Sequence, residues 1–297
     1  MTAAREHTVD RPGGHILRVY EDGDPAGKPV FSLHGTPGSR LLYPKHVADA
    51  TARGIRLIGY DRPGYGSSTT LRGRRMSNVP GDVAAIADAL GIERFAVWGH
   101  SGGGSPALAC AALQPKRVIA ASALAAVAPL GADGFDPLTG MGESNLEDFR
   151  LMISNQPAWE VKIQKDAADI RQANAEQLQA MFTSLLSDVD LRALSPELVD
   201  FLVTQAREGL RPGADGVRDD NLSDILPWGF ELSAIKVPVQ LWHGGHDRFV
   251  PFQHGQWIAS RLRRAEVHLD PEEGHLSLYE HRIPEVHAWL RAKFAEV

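Results

Sequence analysis

The sequence predicts an α/β protein in which a mostly parallel central sheet carries helices on both of its faces. Three observations support this prediction. Apolar runs of strand length recur along the chain and end in glycine or turn residues. Segments with helical periodicity lie between these runs, as expected where helices connect parallel strands. The alternation is interrupted once, between about residues 129 and 227, where strand signals are absent and helical ones continue.

The first predicted strand, residues 16–20, alternates between apolar and polar side chains, which is typical of an exposed outer strand. Continuous apolar runs, typical of strands covered on both faces, predict further strands at 30–33, 55–60, 95–98, 119–127, 237–242 and 265–269. The clearest helix between them runs from Asp82 to Leu90, and Gly91 is its stop signal. Ligands bind such sheets beyond the carboxyl ends of the strands, so we expect the functional residues in the loops that follow them.

The helical stretch divides the chain into a first core segment (1–128), an insertion (129–227) and a second core segment (228–297). Within the insertion, helices are predicted at 145–155, 159–186 and 195–210. A segment of this length without sheet pairing is expected to form a cap over the site. Six large apolar residues of this cap either line a substrate pocket or form the cap's own core: Phe149, Met152, Trp159, Met181, Phe182 and Phe201.

Composition narrows the classes of function. The chain has 297 residues, 43% of them hydrophobic, and a formal net charge of -6, so it has no basic footprint and nucleic acid is not an expected partner. A single cysteine, Cys110, permits no internal disulfide and favours a reducing compartment. Residues 1–15 lack the apolar core of a secretory signal, and no apolar stretch is long enough for a membrane span. We therefore expect a cytoplasmic protein with a small-molecule substrate, and leave its oligomeric state open.

A serine between glycines follows the predicted strand 95–98, in the order Gly99-His100-Ser101-Gly102-Gly103. A helical pattern at 107–113 follows it, so the serine lies at a sharp corner between a strand and a helix. Side chains two positions to either side of such a corner would collide with neighbouring segments, which explains Gly99 and Gly103. The arrangement predicts that Ser101 is an exposed nucleophile beside helix N–H groups that can bind an oxyanion.

A serine hydroxyl needs a histidine to take its proton and a carboxylate to orient that histidine. Asp247 follows the strand at 237–242, and His275 follows the last predicted strand, so the chain order is Ser, Asp, His. His243 and His246 flank Asp247 and are expected to shape its turn, and without a third ligand they predict no metal site. Alternative acids beyond the strand at 119–127 are Asp133 and Asp136.

This order of residues resembles that of the α/β-hydrolase family. The segment His34-Gly35-Thr36-Pro37-Gly38 is similar to the family's oxyanion loop, and the segment from Asp61 to Ser68 is similar to its loop after the fourth strand. The resemblance implies an α/β-hydrolase fold with an inserted helical cap and without a cofactor. It also implies that the backbone N–H groups of Thr36 and Gly102 form the oxyanion hole.

The function expected from these residues is a serine hydrolase of the carboxylesterase type, which cleaves an ester or related acyl bond through an acyl-enzyme. The alternatives are a proline-iminopeptidase-like aminopeptidase, a lactonase, a carbon–carbon bond hydrolase, a hydroxynitrile lyase, a cofactor-free perhydrolase and a non-enzymatic ligand-binding receptor. Epoxide-opening and dehalogenating relatives are set aside, because they use an aspartate where this chain has Ser101. An aminopeptidase would need cap acids to hold an amine, and the candidates are Glu143, Glu147 and Glu208.

Three further groups are given structural roles. His34 is expected to tie its loop to neighbouring backbone, and Asp61 is expected to organise its own loop. The basic residues Arg72, Arg74 and Arg75 are expected to lie on a solvated loop, with an anion-binding role as the alternative.

Overall fold

The computed structural model describes residues 4–296, which form one eight-stranded sheet with helices on both faces. The strands are β1 (Arg5–Arg11), β2 (His15–Gly23), β3 (Lys28–Leu33), β4 (Ile55–Tyr60), β5 (Phe95–His100), β6 (Val118–Leu124), β7 (Val239–Gly244) and β8 (Ala265–Asp270). The helices are α1 (Pro44–Ala52), α2 (Val79–Ala89), α3 (Gly104–Leu113), α4 (Glu143–Ser154), α5 (Gln156–Gln172), α6 (Ala175–Met181), α7 (Asp188–Ala193), α8 (Pro196–Gly209), α9 (Asp215–Ile225), α10 (Phe252–Arg261), α11 (His275–His281) and α12 (Ile283–Lys293). The predicted α/β fold class is confirmed.

The strand order in the sheet is β1-β2-β4-β3-β5-β6-β7-β8. Strands β1 and β2 pair antiparallel with their neighbours, and all pairings from β4 to β8 are parallel. The carboxyl ends of the parallel strands therefore meet at one edge of the sheet. The loops after β3, β4, β5 and β7 and the segment after β8 all lie there, so the fold brings the motifs found in the sequence together.

Two apolar cores cover the two faces of the sheet. One contains residues of α2, α3 and α10, among them Val83, Leu108 and Ile258, and each of these three side chains is fully buried. The other contains residues of α1 and α12, among them Ala50 and Leu290, which are also fully buried. Burial of about 25 cal/mol per Å² of apolar surface makes these cores the main stabilising contribution to the fold.

The edge of the sheet differs from the sequence prediction. The strand predicted at 16–20 as an outer strand is the second one, because β1 pairs with it along its full length, from Arg5 opposite Glu21 to Arg11 opposite His15. Strand β1 has no apolar run, and Val9 is its one buried residue. An edge strand needs little apolar surface, so the sequence pattern did not reveal it.

Between β6 and β7 the chain forms helices α4 to α9 and, within the described residues, no strand. The single helix predicted at 159–186 is wrong, because α5 ends at Gln172 and α6 begins at Ala175. Asn174 separates the two: its side chain accepts the N–H of Gln177 at 2.9 Å, and the Gln177 side chain accepts the N–H of Asn174 at 2.9 Å. This reciprocal cap starts a new helix.

None of the helices within residues 4–296 combines the length and the apolar character that crossing a bilayer requires.

Candidate active site

Ser101 lies at the corner between β5 and α3 with a φ angle of 56°, one of two non-glycine residues with positive φ within residues 4–296. This left-handed conformation is unfavourable for residues with a Cβ atom, and such strain is common at functional positions. The corner turns the chain from the central strand of the sheet into a helix. Ser101 is partly exposed and lines a cavity.

Glycines make this corner possible because the backbone around it is crowded. A Cβ atom on Gly99 would lie 2.0 Å from the carbonyl oxygen of Gly103, and one on Gly103 would lie 2.0 Å from that of Leu33. Neither contact can be relieved by side-chain rotation, since both partners are backbone atoms. Both glycines thus occupy the crowded positions that the sequence predicted for them.

The two residues predicted for the oxyanion hole are adjacent. A Cβ atom on Gly102 would lie 3.2 Å from the Thr36 nitrogen, and one on Gly35 would lie 3.4 Å from Cβ of Ser101. The loop after β3 therefore packs directly against the serine corner. Backbone N–H groups fixed by the fold in this way can stabilise negative charge on a substrate oxygen.

Asp247 and His275 form a buried pair. Oδ2 of Asp247 is 2.7 Å from Nδ1 of His275. Both residues are buried, since Asp247 is 4% exposed and His275 is 3% exposed. The other carboxylate oxygen, Oδ1, accepts the backbone N–H groups of Phe249 at 2.9 Å and Val250 at 2.8 Å. These bonds fix the carboxylate, which in turn holds the proton of the imidazole on Nδ1 and leaves Nε2 free as a base.

The environment of His275 favours its neutral form. Burial lowers the pKa of His275 to about 4, and the charge of Asp190 opposes that shift. Burial also raises the pKa of Asp247, while His243 and the N–H groups of Val250 and Phe249 oppose that shift. Because one hydrogen bond joins the carboxyl to the ring, the two groups titrate as a pair. The neutral imidazole is the form that can accept the proton of a serine hydroxyl.

Aromatic rings hold the imidazole in place. Phe249 stacks on His275 with ring centroids 4.5 Å apart and an interplanar angle of 18°. On another side, the His100 ring lies 4.5 Å away, and its Nε2 donates to the carbonyl oxygen of His275 at 2.9 Å. His100 thus contacts the histidine of the pair. Ser101 and His275 line the same cavity, and no hydrogen bond joins them within residues 4–296.

A carboxylate of the helical insertion also supports His275. Oδ1 of Asp190, in α7, accepts the backbone N–H groups of Leu276 at 2.7 Å and Ser277 at 3.1 Å. Oδ2 accepts the hydroxyl of Ser187 at 2.7 Å. Asp190 is fully buried, and its charge lies at the N-terminus of α11, where the helix dipole favours an anion.

A second buried carboxylate of the insertion, Asp220 in α9, connects to the oxyanion loop. Its Oδ2 accepts hydrogen bonds from the Thr36 hydroxyl at 2.7 Å, the Tyr65 hydroxyl at 2.6 Å and the Arg62 guanidinium at 2.7 Å, and its Oδ1 accepts one from Arg74. Burial alone raises the pKa of Asp220, but the two guanidinium groups outweigh burial and hold that pKa far below its usual range. Asp220 is therefore a charged, fully paired carboxylate.

Arg74 corrects the prediction for the basic loop. It is 4% exposed and binds Asp220, whereas Arg72 and Arg75 are exposed as expected. A charged side chain is buried only where it is paired, and the partner here comes from a helix 146 residues away in the chain. Local sequence could not show that partner. The three arginines do not line the cavity.

The remaining polar residues lie close to where the sequence analysis placed them. His34 contacts the carbonyl oxygen of Gly35 through Nδ1 at 2.7 Å and accepts the N–H of Arg62 at 3.2 Å, so it ties its loop to backbone. Asp61 is fully buried and accepts the N–H groups of Arg40 at 2.6 Å and Ser67 at 3.1 Å. His243 donates to the carbonyl oxygen of Val250 at 2.8 Å, which shapes the turn around Asp247.

The alternative acids do not pair with the histidine. Asp133 and Asp136 are exposed, and the Asp136 carboxylate binds within its own turn, accepting the N–H of Leu138 at 3.0 Å and the hydroxyl of Thr139 at 2.7 Å. Neither lines the cavity. The carboxylate paired with His275 is that of Asp247.

The cavity above Ser101 has a volume of about 500 Å³. Pockets for small molecules have volumes of roughly 300–1,000 Å³, so this cavity is large enough for a small substrate. Three of the six apolar residues considered in the insertion line it, namely Phe149, Met181 and Phe182. The other three pack elsewhere: Met152 and Trp159 in a core of the insertion, and Phe201 against Tyr43. Helical periodicity alone did not distinguish the two groups.

The acids proposed to hold an amine do not line the cavity. Glu143 and Glu147 are exposed, and Glu208 pairs with Arg40. The acids that line it are instead Asp148, Asp166 and Asp224, which the sequence analysis did not single out. For Asp190 a local signal existed, because the Ser187-x-x-Asp190 spacing is that of a helix cap. Its contact with Leu276 spans 86 residues and had no such signal.

Comparisons with known proteins agree with the fold. A family model described as alpha/beta hydrolase fold matches residues 28–282. The AB hydrolase superfamily protein YisY of Bacillus subtilis is 26% identical over 275 residues, covering 90% of this chain and 92% of that protein. The 2-hydroxy-6-oxo-6-phenylhexa-2,4-dienoate hydrolase of Burkholderia cepacia is 26% identical over 296 residues, covering 94% and 92%. A thermophilic esterase from Thermogutta terrifontis has a similar structure, with a TM-score of 0.69, 20% identity, and coverage of 98% and 99%.

Proposed function

Since this chain belongs to the alpha/beta hydrolase fold family, we propose that it is a serine hydrolase that cleaves an ester or related acyl bond of a small, largely apolar substrate. The observation that carries this proposal is the pair between Asp247 and His275, 2.7 Å apart, at the cavity that Ser101 also lines. Thr36 and Gly102 adjoin the same serine corner. These groups suffice for acyl transfer without a cofactor or a metal.

The proposed reaction proceeds through an acyl-enzyme. Nε2 of His275 takes the hydroxyl proton of Ser101 while Oγ forms a bond to the carbonyl carbon of the substrate. The N–H groups of Thr36 and Gly102 hold the oxyanion, and collapse breaks the bond to the leaving alcohol, which receives the proton from His275. Water then adds to the acyl-enzyme by the same steps and releases the acid. The hydrogen bond between serine and histidine forms on substrate binding, as is common for catalytic contacts that are long without ligand.

We further propose that residues 129–227 are a cap over this site. Phe149, Met181 and Phe182 support this proposal, since they come from the insertion and line the same cavity as Ser101 and His275. Such a cap excludes water from the acyl-enzyme and provides an apolar surface for the acyl chain.

The charges of the cavity favour neutral substrates. Among the residues that the structure describes, Lys162 is the one lysine or arginine in its lining, and its Nζ lies 2.6 Å from both Asp148 and Asp166. A substrate carboxylate would therefore meet no free cation and would be repelled by the acids. This argues for an ester or lactone over a carboxylate-bearing substrate.

Carbon–carbon bond hydrolysis is a second candidate, and the specific observation in its favour is the likeness to the Burkholderia cepacia dienoate hydrolase over 94% of this chain. The name of that relative specifies a carboxylate substrate, which the paired Lys162 does not favour. The two candidates differ in a direct measurement. The proposed esterase has a higher kcat/KM for a neutral p-nitrophenyl ester than for a 2-hydroxy-6-oxo-dienoate, and the reverse order would favour the second candidate.

The proposal is tested with short-chain p-nitrophenyl esters and a fluorophosphonate probe. Wild-type protein should hydrolyse the esters with a burst of p-nitrophenol and should be labelled once per chain. Ser101→Ala should lose turnover and labelling and keep its fold by circular dichroism. Ser105→Ala, in the first turn of α3, is the matched control and should still be labelled. Binding of esters without turnover or labelling would instead identify a receptor.

A further inference from the structure

Helix α9 presents one face to the cavity. Val217, Asn221 and Asp224 line it, and their spacing of three and four residues places them on one side of the helix. Asp220 lies one turn before Asp224 on the same helix and extends toward Thr36. Of these two carboxylates one helical turn apart, Asp220 contacts the oxyanion loop and Asp224 lines the cavity.

These two carboxylates differ in their hydrogen-bond partners. Asp220 accepts hydrogen bonds from two guanidinium groups and two hydroxyls, as described above. Asp224 is 7% exposed, and its carboxyl group has no hydrogen-bond partner among residues 4–296. A carboxyl that faces a cavity without a protein partner is placed to bind a ligand.

The chemical form of Asp224 determines which ligand it can bind. Burial raises the pKa of Asp224 well above its usual range, and the negative charge of Asp220 raises it further. The positive charges of Arg62 and Arg74 oppose the shift, but both guanidinium groups are occupied by Asp220. Burial and the charge of Asp220 thus favour the protonated form of Asp224, whose O–H group can donate a hydrogen bond, as carboxyl groups in apolar sites can.

We propose that Asp224, with Asn221 beside it, is a substrate-recognition site that donates a hydrogen bond to a second, uncharged oxygen of the substrate. The chemical class is an ester or lactone that carries a ketone or ether oxygen away from the scissile bond. This inference rests on the proposed function, because it assigns a subsite within the same cavity. The inference goes beyond the proposed function in one respect: the substrate carries a second polar oxygen in addition to its ester group.

The test compares matched pairs of p-nitrophenyl esters, namely 4-oxopentanoate with 4-methylpentanoate and 5-oxohexanoate with 5-methylhexanoate. Each pair differs by a carbonyl oxygen in place of a methyl group. Wild-type protein should prefer the keto ester of at least one pair by about fivefold to tenfold in kcat/KM, the effect of one neutral hydrogen bond. Asp224→Leu should lose this preference, and Asp224→Asn, which keeps an N–H donor, should retain it within about twofold. Asp215→Asn, at the start of α9, is the control for the helix and should leave the ratio unchanged.

Two outcomes would overturn the inference in this assay. One is an unchanged ratio of kcat/KM in Asp224→Leu. The other is a wild-type preference for a 6-aminohexanoate ester that Asp224→Asn abolishes, which would show that Asp224 binds cations as a carboxylate.

A binding measurement separates failure of the subsite from failure of the proposed function. Ser101→Ala is combined with Asp224→Leu or with Asp224→Asn, and the dissociation constant of 4-phenyl-2-butanone is measured by ligand-observed NMR. The leucine double variant should bind this ketone about fivefold to tenfold more weakly than the asparagine double variant, whether or not the wild-type protein hydrolyses esters. Equal dissociation constants, or no binding of the ketone to any variant, would overturn the inference.

Discussion

Oδ1 of Asp190 accepts the backbone N–H of Leu276 at 2.7 Å, so a carboxylate of the helical insertion holds the first turn of α11 directly after His275. A Cβ atom on Gly274 would lie 2.5 Å from the same oxygen, which shows how closely the two segments pack. The charge of Asp190 also favours the protonated imidazole of His275. The insertion is thus connected to the segment that carries His275, the proposed general base, as well as to the wall of the cavity.

Asp190→Asn should lower kcat/KM for esters about fivefold to tenfold. The amide oxygen can still accept from Leu276, but the negative charge that stabilises the imidazolium in the transition state is lost, an effect of ~1 kcal/mol. KM should change less than kcat, because the ground state contains a neutral imidazole. Steady-state kinetics at pH 8 measure both quantities. Asp188→Asn, an exposed carboxylate on the same helix, is the control for charge, and an equal loss in that variant would contradict a specific role for Asp190.

The activity should be nearly independent of pH between pH 6.5 and 8. Burial lowers the pKa of His275 below its usual value, so the imidazole stays in its neutral, basic form throughout this range. Protonation removes the base only as the pH falls toward the lowered pKa, so kcat/KM declines below pH 6 and not above it. The measurement is kcat/KM for one ester across pH 5–8. A decline of kcat/KM with its midpoint above pH 6.5 would contradict this prediction.

The stability should fall as the pH drops from 6.5 toward 4. Burial lowers the pKa values of His243 and His254 from 6.5 to about 4 each, so in this window the unfolded chain binds protons that the native fold excludes. The sign follows from linkage, and each histidine contributes roughly 2 kcal/mol of destabilisation at pH 5. Urea unfolding at pH 8, 7, 6 and 5 measures the slope. His254→Gln should reduce the slope, whereas the exposed His246→Gln should not.

Much of this fold was predictable because its signals are local. Ser101 and its glycines form one short motif, and the apolar runs that precede the motif, Asp247 and His275 each mark a buried strand. Parallel pairing then brings the ends of these strands to one edge, whatever their separation in the chain. Chain order and local pattern therefore led to the pair that the structure brings together.

The groups that sequence reasoning missed depend on contacts between distant segments. Arg74 looked like a solvated residue because its partner, Asp220, lies 146 residues further on. Asp224 is one acid among many on the helices of the insertion, and only its burial distinguishes it. The helix-cap spacing of Asp190 did not indicate its contact with Leu276, 86 residues further on. Helical periodicity in a single sequence predicts which face of a helix is buried. It does not predict which other segment packs against that face.

Gly99→Ala and Gly103→Ala should each destabilise the fold by about 3 kcal/mol or more and abolish ester hydrolysis. The added methyl groups would lie 2.0 Å from backbone carbonyl oxygens, so the strand or the turn must move. Gly131→Ala is the matched control, because a Cβ atom there has no neighbour within 4 Å and should change the free energy of unfolding by less than ~0.5 kcal/mol. Chemical denaturation compares the three variants, and tolerance of alanine at position 99 or 103 would contradict the described corner.

Thr36 provides a test of the oxyanion loop that leaves its backbone donor in place. The Thr36 hydroxyl donates to Asp220 at 2.7 Å, and Arg62 donates to the same hydroxyl oxygen at 3.3 Å. Thr36→Val has nearly the same shape and keeps the N–H group but removes these bonds. Because the loop is then anchored less firmly beside Gly102, we expect kcat to fall about tenfold, a loss of ~1.4 kcal/mol of transition-state stabilisation, with KM nearly unchanged.

Thr36→Ser keeps the hydroxyl and should retain kcat within about threefold, which separates the hydrogen bond from the shape of the side chain. Steady-state kinetics with one ester, together with urea unfolding of both variants, distinguish a catalytic effect from a loss of stability. If Thr36→Val lowers the free energy of unfolding but has the same kcat as Thr36→Ser, then Asp220 stabilises the fold and does not position the oxyanion hole. A fall in kcat confined to the valine variant means that a carboxylate of the insertion positions the oxyanion hole, as Asp190 is expected to position the base.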